Sequence, residues 1–424
     1  MGLSTATGTQ AYELYADDDT HLNADMQAVF GWMNSRKNYD GTPGGSSWRE
    51  GFIKYGVSGD QGLGGAGTLR GAFNLVSSAT WGDGDAAGNT DGSERTTKIE
   101  DAWLGWRSAD LVPALGQDGV DFSFGRQVVK LGRGFLINDD GPNLGKGPAG
   151  GDLNRGGAYY IAARHAFDRT AVLRLGGQDG LHGSVLWLKS DNRAQAETEL
   201  AAGTLDYSGA AGTLGLTWIH GLDVNPRWAS PLQSQRKDLD VYSLRGEGSA
   251  GIDNASFAFE YAWQDKPQGS EQAWYGEAGY TFADAPWAPT LTYRYTRYST
   301  GWDSLFTGLS TGYGTWFQGE VAANYAGPFN SNTGIHHLGL KVKPREDLTL
   351  GALYFDFSTL GRRSQLNLDA RELDLYAEWA VSEHLIVSPL VGLYQPRKSA
   401  ENGGNQVGGN GTNVYSQLLL IMPF

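Results

Sequence analysis

Five basic residues within forty positions carry the most explicit chemistry in this chain. Arg126, Lys130, Arg133, Arg155 and Arg164 bracket a Gly-rich stretch and could present guanidinium and ammonium groups to an anion. Acids close in sequence, Glu100, Asp101, Asp139 and Asp140, could instead neutralise them as ion pairs, and the residues alone leave both readings open. A second set, Glu372, Asp374 and Glu378, places three carboxylates at every second or fourth position. Paired carboxylates serve glycosidases, but this spacing is that of one face of a strand, so a polar wall is the better reading. Asp83-Gly84-Asp85 with Asn89 and Asp91 offers oxygen ligands for Ca²⁺ but lacks a full EF-hand pattern, and a solvated loop is expected. His336 and His337 alternate to opposite faces, which argues against joint metal ligation. No G-x-S-x-G, H-E-x-x-H or phosphate-binding loop occurs. No catalytic set, metal site or cofactor is expected.

Composition narrows the setting. The 424 residues include 62 Gly, 20 Tyr, 16 Phe and 14 Trp but no Cys, and the net charge is -14. Without Cys there is no disulfide framework and no thiolate site. The acidic balance disfavours nucleic acid, whose phosphates need basic patches. Mean hydropathy is -0.39, and no run approaches the roughly 20 apolar residues of a membrane helix. No Pro/Ser-rich linker marks a domain boundary. Met1-Gly2-Leu3 leads directly into polar sequence, as expected of a mature N-terminus behind an added Met.

The elements that must position these groups show themselves by alternation. In Ala255–Gln264 one parity carries Phe257, Phe259, Tyr261 and Trp263, and the other Ser256, Ala258, Glu260, Ala262 and Gln264. Side chains alternate between the faces of a strand, so one face is apolar and the other small and polar. The pattern recurs from Leu22 to the C-terminus. Such repetition suits a transmembrane β-barrel, which hides its membrane signal in alternation. Segments 158–163 and 315–325 also look strand-like. Barrels alternate short periplasmic turns with long external loops, and that parity is kept only if 132–168 and 300–334 are single long loops folding into the lumen. About 18 strands then remain, an even number as single-chain bacterial barrels require. The segment 265–272 is expected to be one of the longer external connections.

The expectation is thus an all-β transmembrane antiparallel barrel over 22–424, preceded by a short periplasmic tail, 1–21. Charges opposite the aromatic face should line the lumen, because a charge facing lipid near the midplane costs roughly 2–4 kcal/mol. The basic lining is Lys54, Arg70, Arg174, Arg245, Arg294 and Lys341. The acidic lining is Asp25, Glu50, Glu247, Glu260, Glu277, Glu372, Asp374 and Glu378. Arg126 has the wrong parity, shared with Phe122 and Phe124, unless a bulge at Gly125 re-aims it. Loop aromatics Tyr159, Tyr160, Trp316 and Phe317 could stack on sugars. The C-terminal parity Leu418, Leu420, Met422, Phe424 suits recognition by the barrel-assembly machinery, and outer-membrane lipids and lipopolysaccharide would surround the wall.

Several segments resemble the alginate-export family of outer-membrane barrels: Phe124-Gly125-Arg126-Gln127, the stretch Pro328–Asn332 with Leu338–Leu348, and Glu372-Leu373-Asp374-Leu375-Tyr376. The resemblance implies an 18-stranded monomer whose long loops constrict the lumen. It implies either a secretion pore for an anionic polysaccharide such as alginate or a porin for small solutes. The near-balance of lumen charges favours a passive outer-membrane channel for small polar, anionic or saccharide solutes. A soluble all-β carbohydrate-active enzyme or lectin is the remaining reading, and it predicts no continuous apolar belt.

Overall fold

The computed structural model describes residues 12–308, 318–327, 329–361 and 367–423. Trp316, Phe317 and Phe424 lie outside these residues. The strands, in chain order, are β1 (Tyr12–Ala16), β2 (Thr20–Ser35), β3 (Ser46–Gly62), β4 (Thr68–Gly82), β5 (Arg95–Arg107), β6 (Val120–Gln127), β7 (Phe167–Leu175), β8 (Gly180–Lys189), β9 (Glu199–Gly209) and β10 (Gly212–Asp223). They continue with β11 (Asp240–Gly248), β12 (Ala255–Lys266), β13 (Gly269–Thr281), β14 (Thr290–Tyr298), β15 (Thr333–Arg345), β16 (Leu348–Thr359), β17 (Ala370–Ser382), β18 (Leu385–Pro396) and β19 (Asn413–Pro423).

Each strand from β2 to β19 pairs antiparallel with its neighbour, and β19 pairs with β2, from Tyr415↔Ser35 to Pro423↔Gln27. The sheet therefore closes as an 18-stranded barrel with no open edge. β1, expected as part of a tail, folds back onto the start of β2 (Tyr12↔Ala24, Ala16↔His21). It occupies the stretch of β2 that lies beyond the last pair with β19.

Alternation dictates the faces. On β12, Phe257, Phe259, Tyr261 and Trp263 are exposed on the outer wall, while Ala258, Glu260, Ala262 and Gln264 are buried inward. Residues as distant as Phe73, Val185, Leu214, Leu340 and Leu375 join this outer belt. Aromatic pairs mark its two margins. Tyr242 stacks on Trp263 at 5.8 Å at one end, and Tyr280 meets Phe282 at 5.0 Å at the other. An exposed apolar belt between aromatic girdles is what a lipid bilayer solvates, and a soluble enzyme or lectin would bury it.

One end of the barrel carries tight turns, such as 210–211, 346–347 and 383–384; the other carries the long loops 128–166, 224–239, 299–332 and 397–412. One connection departs from expectation. β12 runs to Lys266 and β13 starts at Gly269, so 267–268 is a two-residue hairpin closed by the Lys266↔Gly269 pair. The described parts of both strand-like loop segments, 158–163 and 318–325, stay out of the wall. Ala158 and Ala162 have positive φ (52° and 48°), which breaks extended geometry. Ala322–Ala326 forms a π-helical turn.

Candidate functional site: a loop-filled lumen

The interior of the barrel is held by a repeated device. Glu50 on β3 accepts hydrogen bonds from the main-chain N–H groups of Tyr160 (2.8 Å) and Ile161 (3.0 Å). Glu100 on β5 accepts from those of His165 and Ala166 (2.5 and 2.8 Å). Glu372 on β17 accepts from those of Val321 (2.6 Å) and Ala322 (2.8 Å), at the start of the π-helical turn. Three wall carboxylates thus each chelate two consecutive amides of a long loop. Amides with no partner in regular structure need acceptors when buried, and an ionised acceptor makes the stronger bond. The two loops also meet each other. The Tyr160 hydroxyl donates to Glu320 and accepts from Gln417 Nε2 at 2.8 Å. Burial pushes the Glu320 carboxyl up to about 8, against the lowering effect of the Tyr160 bond.

The five loop-region cations do not form one cluster. A bulge between Gly125 and Gln127, with Gly125 at φ +118°, turns Arg126 inward against its parity. Arg126 then pairs with Asp168 (2.8 Å) and Asp191 (2.7 Å). Arg155 pairs with Asp140 (2.9 Å) and Asp191 (3.3 Å), and Arg164 with Asp191 (3.3 Å) and Glu100 (3.7 Å). Burial disfavours charge on Asp191, but Arg155, Arg126 and Arg164 outweigh it and hold the carboxyl below its usual range. Arg126 and Arg164 thus tie loops to the wall, and Arg155 ties one loop to the next.

Lys130 and Arg133 stand apart from them. Arg133 reaches Glu277 (3.1 Å) and Glu247 (3.8 Å), and Arg294 shares Glu277 at 3.0 Å. Lys130 has no carboxylate within ion-pair distance among the described residues. Asp191, the hub of the first group, carried no sequence signal: it sits in the short 190–198 connection, in no alternating strand.

The remaining wall residues point inward as their parity requires. Lys54 pairs with Asp101 at 2.8 Å, and Asp25 accepts from Ser58 and Asn74. Glu260 accepts from Ser243 at 2.6 Å. Asp374 is fully buried beside Glu372, and Lys341 and Glu378 lie toward the turn end of β15 and β17. His336 packs outward on Tyr295 while His337 stacks inward on Phe355, so the two rings do face apart. The Asp83–Asp91 loop is not simply solvated. Asp85 is buried and accepts from the amides of Ala87 and Thr90 and the side chains of Asn89 and Thr90, so its oxygens close the loop on itself.

Two cavities among the described residues bear on passage. Toward the turn end, a cavity of about 620 Å³ is lined by Arg107, Asp121, Lys130, Arg174, Asp206 and Arg245, among others. Arg70, Arg107 (3.7 Å) and Arg174 (3.8 Å) converge on a single acid, Asp121. Arg245 is matched by Asp206. The convergence leaves two cations in excess around Asp121. Arg70 and Arg174 were expected from parity, but the contribution of Arg107, at the end of β5, was not. Toward the loop end, a second cavity of about 570 Å³ is bordered by amides and tyrosines, including Asn89, Asn138, Gln233, Tyr39 and Tyr159, and by the paired Arg236 with Asp303 and His165 with Asp139. Tyr160 is buried and engaged in the loop contacts above, which leaves no ring face for a solute.

No protein-family model and no curated protein sequence matches the chain. Solved structures do. A BenF-like porin from Pseudomonas fluorescens Pf-5 superposes with a TM-score of 0.60 at 10% identity, over 95% of this chain and 98% of that one. Acinetobacter baumannii OccAB1 gives 0.58 at 10% identity over 99% of both chains. Pseudomonas aeruginosa OccK11 (OpdR) gives 0.56 at 13% identity over 94% and 95%. The resemblance to the alginate-export family is not supported: these neighbours are porins, and the loops pinned at Glu50, Glu100 and Glu372 fill the bore that a polymer would need. At such identities the likeness is one of fold, and the fold is that of the 18-stranded porins of the bacterial outer membrane.

Proposed function

We propose that this protein is an outer-membrane channel that passes small solutes by diffusion, with a preference for those bearing negative charge. The carrying observation is the convergence of Arg70, Arg107 and Arg174 on one carboxylate, Asp121, at a turn-end cavity whose lining sets Arg107, Lys130, Arg174 and Arg245 against Asp118, Asp121 and Asp206. In a confined, low-dielectric bore an excess of fixed positive charge raises the local concentration of anions. The tied loops restrict passage to small molecules. In this reading the turn end faces the periplasm and the loop end the outside. Planar-bilayer recording in a salt gradient tests the proposal. Anion selectivity is expected, and it should fall in the Arg107→Gln/Arg174→Gln variant. A cation-selective wild-type channel would overturn the reading.

The loop-end cavity favours a second feature of the same channel. Its amide and tyrosine lining suits neutral hydroxylated solutes such as saccharides, and block of the single-channel current by sugars would measure that.

A further inference from the structure

The lipid-facing wall across β2–β5 contains a furrow that the channel does not use. Its outward positions include Ala28, Gly51, Ser77, Ala79 and Thr97, where neighbouring rows carry leucines and aromatics. The small side chains leave an indentation of about 640 Å³ flanked by Phe30, Ile53 and Trp81. Ser77 Oγ and Thr97 Oγ1 are hydrogen-bonded to each other at 2.8 Å, so the floor offers these hydroxyls as a satisfied pair compatible with hydrocarbon.

Two arginines stand at the loop end of this furrow. Arg49 is the next outward residue beyond Gly51 on β3 and sits opposite Trp81 of β4. Arg95 sits opposite Ala79 of the same strand from its other side. One strand and a two-residue offset separate them, so their backbones are roughly 12 Å apart. The Arg95 guanidinium stacks over the Trp81 ring at 4.6 Å and donates to the Thr80 and Glu94 carbonyls. Both arginines are exposed, and neither has a carboxylate within 4.0 Å among the described residues.

This is not how the outer wall treats cations elsewhere at the same end. Arg169 pairs with Asp168 (3.3 Å), Lys189 with Glu199 (3.0 Å), and Arg371 and Arg397 both with Asp356 (3.2 and 2.7 Å). Arg297 on β14 also lacks an acid but has no second unpaired arginine beside it in the strand register. An unpaired guanidinium at the membrane margin needs an anion, and in a bilayer the anion at that depth is a lipid phosphate. Trp81 belongs to the aromatic girdle, which sets Arg95 at headgroup level.

We infer that the β2–β5 furrow is a docking site for a phosphorylated, multiply acylated glycolipid of the outer leaflet. Arg49 and Arg95 hold its phosphate, and one acyl chain lies along Ala28, Gly51 and Ala79. The inference rests on the outer-membrane orientation above, but it does not depend on solute selectivity.

The test uses the full-length barrel in detergent with purified diphosphoryl lipid A, read by native mass spectrometry and thermal denaturation. One lipid A should remain bound and raise the melting temperature. Dephosphorylated lipid A and phosphatidylglycerol should do neither. The Arg49→Gln/Arg95→Gln variant should bind about tenfold more weakly, and Arg297→Gln should bind as wild type. Ala79→Leu, which fills the furrow and leaves the arginines in place, should also weaken binding. Equal retention by the double variant, or of the dephosphorylated lipid, overturns the site. Equal retention of phosphatidylglycerol overturns the assignment to a glycolipid. Conductance of the double variant in bilayers free of lipid A should match wild type, so loss of lipid binding with intact conductance separates this site from the channel reading.

Discussion

Glu50 in the barrel wall accepts the main-chain N–H of Tyr160 at 2.8 Å, across 110 residues of sequence. With the Ile161 amide at 3.0 Å beside it, this contact fixes the depth at which the 128–166 loop sits in the bore. Glu50→Ala removes the one oxygen, Oε2, that accepts from both amides and leaves two buried N–H groups unpaired. A buried donor left without a partner costs about 1–3 kcal/mol, so the loop loses a few kcal/mol of docking energy, while the β3 ladder is untouched. Conductance and open-channel noise should rise, with Glu50→Gln intermediate because its carbonyl can still accept both amides while its NH2 group opposes the Trp48 Nε1 donor. Conductance at the wild-type level in Glu50→Ala would show that the loop is held by other contacts.

The Glu320 carboxyl gives the second loop a pH dependence. Its value is raised to about 8 by burial, against the Tyr160 hydrogen bond. A group raised in the folded state contributes stability that is fully present below its unfolded value and is lost as pH rises through the folded one. Docking of the 299–332 loop should therefore weaken progressively from the ordinary carboxyl range up to about pH 8. Single-channel recordings across this range should show growing gating noise, and Glu320→Gln should flatten the profile. A profile with the same slope in Glu320→Gln would assign the transition to another group.

Gly125 should not tolerate a side chain. Its φ of +118° disfavours L-residues, and an added Cβ would lie 2.4 Å from the Ala102 carbonyl and 2.8 Å from Trp103 Cα. Gly125→Ala is expected to cost about 1–3 kcal/mol from the backbone conformation alone, plus the clash. Heat-modifiable electrophoretic mobility and urea unfolding of the refolded barrel would measure it.

Among the described residues, Asp121 is the one acid within ion-pair distance of Arg70, Arg107 and Arg174. Asp121→Asn uncovers one more positive charge, so anion-over-cation permeability should increase, roughly twofold or more, opposite in sign to Arg107→Gln/Arg174→Gln. Reversal potentials moving the same way in both variants would remove the cluster from the permeation path.

Phe259 lies in the middle of β12 with its ring on the outer face. Phe259→Arg should destabilise the folded barrel in lipid by about 2–4 kcal/mol. The same substitution at the inward-facing Ala262 tests packing against the bore and should show no comparable dependence on bilayer thickness.

The period-two alternation determined the strands and their faces. Ala255–Gln264 reads as one greasy and one polar face because successive strand side chains must diverge, and closure into an even-numbered barrel follows once every strand has an apolar side to hide in lipid. The bulge at Gly125 was legible too, since Arg126 shared parity with two phenylalanines. The partners of the charged groups were decided by the tertiary structure. Parity sends Glu50 and Glu372 inward, but whether they face water, an ion or a loop amide depends on chain segments 50 to 111 residues away. Arg126, Arg155 and Arg164 read equally as a selective basic cluster or as ion-paired ties, and the placement of Asp191 among them decides for the ties. Local periodicity carries direction and no long-range pairing, because the repeat of a strand is a property of its own backbone, whereas a hydrogen bond across the bore belongs to the closed barrel.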